Sequence, residues 1–472
     1  MDLIPRPDQV VSAAGNVAHK LLYGGVADLR PMPRTLIDEG ELRQVFHYRP
    51  LPESSVGEDP AAEDAGNGPH TDPVLLVTPL AAPALCFDLR RGCSLVEHLV
   101  ERGRPTYLVE YGTVSFRERH LGMEHWVEQV LPAAVRAVSA HAGGRPVHVV
   151  GGSLGGIFAL LSAADDPDLP IASLSVLGAP TDVSLVPLVA PLRPLLGLTG
   201  GRGLVTRAYR AIGGAPQPLV RWAFQLTSFE KMVTKPLAVA VNLDDTDFLS
   251  QIEAVDRFTS QIVAYPGRTF GQLYHRFLKA NMLAGGAMEL GDRTIALSSI
   301  RVPVLVFAGA DDGIAPVRAV QAVMPQLSGS PDARFEIVPG GHLGMLTGRG
   351  ARTSTWAVLD DWFAEWSDRA PAPAPRRRAR KSTGTKKAAA KKATAPKKAT
   401  ATKGATKKTA TTKTAARKRS TTKKAGTKTA AKKAPSKATS KATTTTSAEA
   451  PTPIGTNPER RHGSGSSRAL AR

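Results

Sequence analysis

Three residues stand where acyl chemistry would need them: Ser153, Asp312 and His342, each just beyond an apolar run. Ser153 is the centre of Gly151-Gly152-Ser153-Leu154-Gly155-Gly156, after VHVV and before IFALLSAA. A serine at a strand-to-helix turn is held with its hydroxyl exposed, and small neighbours let the turn close. The helix N-terminus behind it favours developing negative charge. A serine hydroxyl is a weak nucleophile and needs a base oriented by an acid. His342 follows RFEIVPGG, and Asp311 and Asp312 follow VPVLVFAGA. Asp312 is the expected acid, three residues past Gly309 and before Ile314 and Pro316, with Asp311 as the other candidate. The plainer reading of that loop is that both acids only cap a helix. In the chemical reading Ser153 attacks an ester or thioester carbonyl, His342 moves the proton and Asp312 fixes the imidazole tautomer. The developing oxyanion needs two donors. One is expected from the backbone N–H of Leu154. The other is expected from Leu80 or Ala81, in the apolar loop PLAAPAL.

Such placements require strands and helices in alternation. VLLVTP (74–79), TYLVEYG (106–112), VHVVGG (147–152), ASLSVLGAP (172–180), VPVLVFAG (302–309) and RFEIVPG (334–340) read as buried strands, with helices over 94–102 and 125–141. Short, nearly all-apolar strands separated by helices imply a mostly parallel sheet covered on both faces. Serine, acid and histidine in this chain order define the α/β-hydrolase arrangement. The fold class is therefore α/β, an α/β-hydrolase fold with an inserted helical cap at about 182–295, because that connection is too long for a simple crossover. Residues 1–35 read as an N-terminal helical segment, 36–368 as the hydrolase domain and 369–472 as a disordered tail. An acidic Pro/Gly/Ser-rich loop occupies 52–73.

The charge divides along the same boundary. The whole 472-residue chain carries a net +20. Residues 371–472 hold 29 basic and 2 acidic side chains, a net of +27, which leaves 32 basic and 39 acidic residues, a net of −7, in the rest. A high overall basicity thus says nothing about the body as a nucleic-acid binder. The two cysteines, Cys86 and Cys93, exclude a disulfide scaffold and a cysteine-built metal site. No cofactor is implied. The start MDLIPRPDQVV lacks a basic segment followed by an apolar one. The most apolar stretch, around 185–205, is broken by prolines and arginines and falls short of the roughly 20 apolar residues of a membrane span. The expected location is the cytoplasm, at the nucleoid or at lipid inclusions.

LCFDLRRGCSLVEHLVERG (85–103), the serine turn, and YHRFLKANMLAGGAMELGDRTIALSSIRVPVLVFAGADDGIAP together resemble polyhydroxyalkanoate synthases and their relatives. YPGRTFGQLYHRF and VPGGHLGMLTGR are similar to runs in the hydrolase half of actinobacterial fusions between a lipase-like domain and a long-chain fatty-acid–CoA ligase. The resemblance spans roughly residues 30–366 and implies an α/β-hydrolase fold and acyl ester chemistry on lipids. It departs at the nucleophile, where the synthases carry cysteine and this chain has Ser153. That favours hydrolysis over polymerisation. Cys86 and Cys93 do not match the nucleophile position and read as small buried residues.

The tail, with runs such as AAAKKATAPKKATATKGATKK, resembles linker-histone tails and basic actinobacterial nucleoid proteins. Flexible lysines neutralise phosphates without reading bases. DNA, RNA, anionic lipid headgroups or polyphosphate fit equally well. Three functions follow as expectations. The first is a serine hydrolase (esterase or lipase type) on acyl esters, with a polyanion-binding tail. The second is an acyltransferase using acyl-CoA, as in the polyhydroxyalkanoate synthases. The third is a non-catalytic scaffold linking lipid inclusions to the nucleoid.

Overall fold

The computed structural model describes residues 7–51, 71–112, 114–187, 189, 214–215, 217–218, 220 and 229–367. The acidic 52–70 stretch, much of 188–228 and the basic tail lie outside the described residues.

Eight strands form the central sheet: β1 (Arg34–Gly40), β2 (Arg43–Tyr48), β3 (Val74–Val77), β4 (Thr106–Glu110), β5 (Val147–Gly152), β6 (Ile171–Leu177), β7 (Val304–Gly309) and β8 (Ala333–Val338). Their spatial order is β1-β2-β4-β3-β5-β6-β7-β8. β1, β2 and β4 pair antiparallel, and every pairing from β4 to β8 is parallel. The chain runs from β3 outward to β4, then crosses back to β5 on β3's other side. Ligand sites of open α/β sheets lie at such reversals, beyond the carboxyl ends of the strands.

Residue alternation builds two cores. Leu75 and Val77 of β3 and Val304 and Val306 of β7 join one apolar cluster, while Val74, Leu76, Leu305 and Phe307 join the other. This is the period-2 geometry of a strand with both faces covered. The first face carries helices α3 (Leu131–His141) and α4 (Leu154–Asp165). The opposite face carries α2 (Leu95–Glu101) and the last helix, α7 (Thr355–Trp366), which contributes Trp356, Trp362 and Phe363. Residues 155–164 of α4 are buried on every side, so its sequence is apolar all round rather than amphipathic.

An N-terminal helix, α1 (Pro7–Tyr23), precedes the sheet. The long connection between β6 and β7 includes α5 (Phe229–Val241), α6 (Thr246–Ser260) and a hairpin of Ala287–Leu290 with Arg293–Ala296. Helix α6 is tied to the body by Arg90, which donates to Asp247 Oδ1 at 2.6 Å and to Gln251 Oε1 at 3.0 Å. The N-terminal segment straps it from the other side: Val26 N–H donates to Glu253 Oε2 and Arg257 Nη1 to Leu29 C=O.

Candidate active site

The serine turn is shaped by what cannot fit. Ser153 has φ 50° and ψ −120°, a region that costs a non-glycine residue about 1–3 kcal/mol. Its neighbours close the turn because they lack side chains. A Cβ on Gly151 would sit 2.6 Å from Gly156 Cα, and one on Gly155 would sit 2.5 Å from the Val77 carbonyl oxygen. The Ser153 N–H donates to Leu177 C=O at 2.8 Å, which fastens the turn to the end of β6. Ser153 therefore precedes the first turn of α4, whose N–H groups have no partner within the helix.

Asp312 and His342 come together across two later strand ends. Ala310 N–H donates to Val338 C=O at 2.8 Å and Asp311 N–H to Gly340 C=O at 3.1 Å, so the loops after β7 and β8 are laced together. Asp312 Oδ2 then meets His342 Nδ1 at 2.7 Å. Asp312 is fully buried at its side chain, and its other oxygen accepts from the N–H groups of Ile314 and Ala315, both at 2.8 Å. One carboxylate thus does both jobs weighed for this loop: Oδ1 caps the following turn and Oδ2 holds the imidazole. Asp311 is exposed. An ionised carboxylate only accepts, so His342 Nδ1 carries the hydrogen and Nε2 is left as the basic nitrogen.

Gly178 brings His342 to the serine turn. It follows Leu177 with φ +60°, and a Cβ there would lie 3.2 Å from His342 Cε1 and Nδ1. The same strand end therefore binds the Ser153 backbone and abuts the imidazole. No hydrogen bond joins the Ser153 hydroxyl to His342 among the described residues. Such bonds often tighten only with the reacting group in place.

The segment after β3 is a turn closed by Ala82 N–H donating to Pro79 C=O at 2.9 Å. Its two central N–H groups, those of Leu80 and Ala81, have no hydrogen-bond partner among the described residues, and both residues are buried. The turn lies beside helix α4, because Val77 and Thr78 carbonyls touch Gly155. Leu80, Ala81 and Leu154 thus gather unengaged backbone donors at one end of the sheet. Cys86 and Cys93 are free and buried, and burial pushes the Cys86 thiol well up, which keeps it protonated and unreactive. Sequence reasoning missed Gly178 and the Ala310–Asp311 lacing, since neither carries a chemical group of its own.

The strand order, the serine after β5, the acid after β7 and the histidine after β8 are those of the α/β-hydrolase fold. Within that class the chain is similar to "Poly(3-hydroxyalkanoate) polymerase subunit PhaC" proteins. The one from Haloferax mediterranei is 24% identical over 63% of this chain and 59% of its own length. The Allochromatium vinosum protein is 24% identical over 62% of this chain and 81% of its own length. The Synechocystis protein is 26% identical over 62% and 78%. The chain thus spans less than two thirds of the Haloferax relative. No protein-family model matches the chain. Among solved structures, a monoacylglycerol lipase from Paleococcus ferrophilus is 17% identical, with a TM-score of 0.39 over 63% of this chain and 97% of its own. A proline iminopeptidase from Mycobacterium smegmatis is 17% identical, with a TM-score of 0.37 over 71% and 99%. The expected resemblance to polyhydroxyalkanoate synthases and the expected fold are both borne out.

Proposed function

We propose that this chain is an acyl-transferring enzyme that forms an acyl-enzyme at Ser153. The observation that carries the reading is the strained Ser153 at the strand end that also abuts His342, the imidazole held by the buried Asp312, with unengaged backbone N–H groups at Leu80 and Ala81. His342 Nε2 takes the hydroxyl proton as Ser153 Oγ bonds to the carbonyl carbon of an ester or thioester. The oxyanion is held by the N–H of Leu154 and that of Leu80 or Ala81. Collapse breaks the bond to the leaving alkoxide or thiolate, which receives the proton from His342. An acceptor hydroxyl then repeats the sequence in reverse and frees Ser153.

Similarity to PhaC polymerases supports a hydroxyacyl donor and a second hydroxyacyl group as acceptor, a polyhydroxyalkanoate synthase-like acyl transfer. The second reading is hydrolysis of acyl esters, with water as acceptor. The oxygen nucleophile favours it: an acyl-serine is no more activated than the ester that transfer would make, and water is in large excess. In both readings the connection between β6 and β7 serves as a cap over the acyl site. The test feeds 3-hydroxybutyryl-CoA and p-nitrophenyl esters of rising chain length to the full chain and to Ser153→Ala. Release of CoA or nitrophenol by wild type alone supports the acyl-enzyme, and equal release by both overturns it. Oligomeric hydroxyacyl esters identify transfer, and free acid identifies hydrolysis.

The basic residues 369–472 complete the proposal. Their charge supports capture of a polyanion, duplex DNA first, which would set where the enzyme works without touching its chemistry.

A further inference from the structure

The peptide unit joining Ile262 to Val263 is gripped from both sides. Its carbonyl oxygen accepts from Gln217 Nε2 at 2.7 Å. Its N–H donates to Ala81 C=O at 2.9 Å. The Ala81–Ala82 peptide in turn donates its own N–H to Pro79 C=O, also at 2.9 Å. Three hydrogen bonds therefore run in series: Gln217 to Ile262, Val263 to Ala81, Ala82 to Pro79. Peptide groups bonded in series polarise one another, so each bond strengthens the next.

The line starts in the connection between β6 and β7 and ends in the turn after β3. Its middle is buried. Ile262 and Ala81 are each about 1% exposed, and Val220, three residues from Gln217, packs with both. Among the described residues Gln217 is the donor that satisfies the Ile262 carbonyl. Gln217 itself is exposed, but Ile262 is buried, and its carbonyl left without this donor is costly, so losing the amide would turn or shift the 262–263 peptide. Val263 N–H would then leave Ala81 C=O, and the turn over 79–82 would keep only its internal bond. The N–H groups of Leu80 and Ala81 would lose their fixed aim.

We infer that Gln217 is a positioning residue for the oxyanion turn, acting through Ile262 and Val263 on Ala81. The inference rests on the acyl-enzyme reading of Ser153. It also joins substrate cover and catalysis, because the residue that sets the turn belongs to the connection rather than to the sheet. Removing one oxyanion donor outright costs about 10²–10³ in kcat, so a donor left in place but loosened should cost about 10-fold.

The test compares full-length wild type with Gln217→Glu, which keeps the shape and loses the amide donor, and with Gln217→Ala. Each is assayed on a p-nitrophenyl ester, for inhibition by a trifluoromethyl ketone that forms a tetrahedral adduct, and for labelling of Ser153 by a fluorophosphonate. The expected result is a kcat lower by about 10-fold, a KM within about 2-fold, and ketone affinity weakened by the same factor as kcat. Unchanged kcat and ketone affinity would overturn the inference. So would a raised KM with ketone affinity kept, which is the signature of a loosened cap and an intact turn. Failure of the fluorophosphonate to label Ser153 in wild type is a separate result. It removes the acyl-enzyme reading itself, and the role of Gln217 with it.

Discussion

At Gly155 the only side chain the fold admits is hydrogen. A methyl group there would lie 2.5 Å from one backbone oxygen and 2.6 Å from the next, and neither can move without displacing β3. Gly155→Ala should therefore lose most of the Ser153-dependent turnover and about 1–3 kcal/mol of stability, read by ester assay and urea unfolding. Asp312→Asn should leave the fold nearly unchanged, because Oδ1 still caps its turn, but should lower kcat by about 10⁴ by presenting the wrong imidazole tautomer. A third residue speaks through pH. His148 is buried between Ser173 Oγ and Ser367 Oγ, and burial depresses its pKa from 6.5 to about 3. The unfolded chain therefore takes up a proton that the folded one refuses. His148 stability is complete above about pH 6.5 and is lost as pH falls toward 3. His47, depressed to about 4 chiefly by burial and then by His141, acts in the same direction. Unfolding curves at pH 7, 5 and 4 should show the loss, and His148→Gln should flatten it.

At the scale of elements, the parallel strands β3 to β8 were legible and the antiparallel pair β1–β2 was not. VLLV and VLVFAG are continuous apolar runs, and TYLVE and VHVVGG nearly so, because both faces of those strands are covered. β1 mixes exposed and half-buried positions, β2 mixes half-buried and buried ones, and together they carry Arg34, Asp38, Glu39 and Arg43, which solvates this side of the sheet and hides the strands from a search for apolar runs. The stretch 125–141, read as one helix, is a π-helical segment (His125–Val130) followed by α3. Pro132 has no N–H to complete the regular ladder there. Within the site, Ser153, Asp312 and His342 were legible because chemistry demands particular side chains after particular strands. Spacing from Gly309 and Pro316 favours Asp312 over Asp311 in the sequence; the loop lacing that turns its carboxylate to His342 is what only coordinates show. The connection between β6 and β7 announces itself by length, but its attachment to the body does not. That attachment rests partly on Arg90, which is 8% exposed at its side chain while its partner Asp247 is 54% exposed. Asp247→Ala should cost about 1 kcal/mol, less than a fully buried pair would, since water already reaches one partner. Urea midpoints of wild type and variant check the figure.

Across the whole molecule, the acidic body and the basic tail should separate cleanly. A chain ending after Ser367 keeps the hydroxyl that meets His148 Nε2 and should retain ester turnover. It should lose salt-sensitive binding to duplex DNA, measured by titration over a salt series. Equal binding by the short and full chains would remove nucleic acid as the tail's partner. Among the described residues no helix is long and apolar enough to cross a membrane. The backbone at residue 153 bears on the molecule's history as well. Its φ of 50° suits glycine and burdens serine. Ser153→Gly should be inert yet more resistant to heat, by about 1 kcal/mol, as a melting comparison would show. Selection for durability and selection for reactivity thus pull one position in opposite directions. On the proposed acyl-enzyme reading, a lineage that stopped needing the reaction would be expected to lose Ser153 early, and to be the sturdier for it.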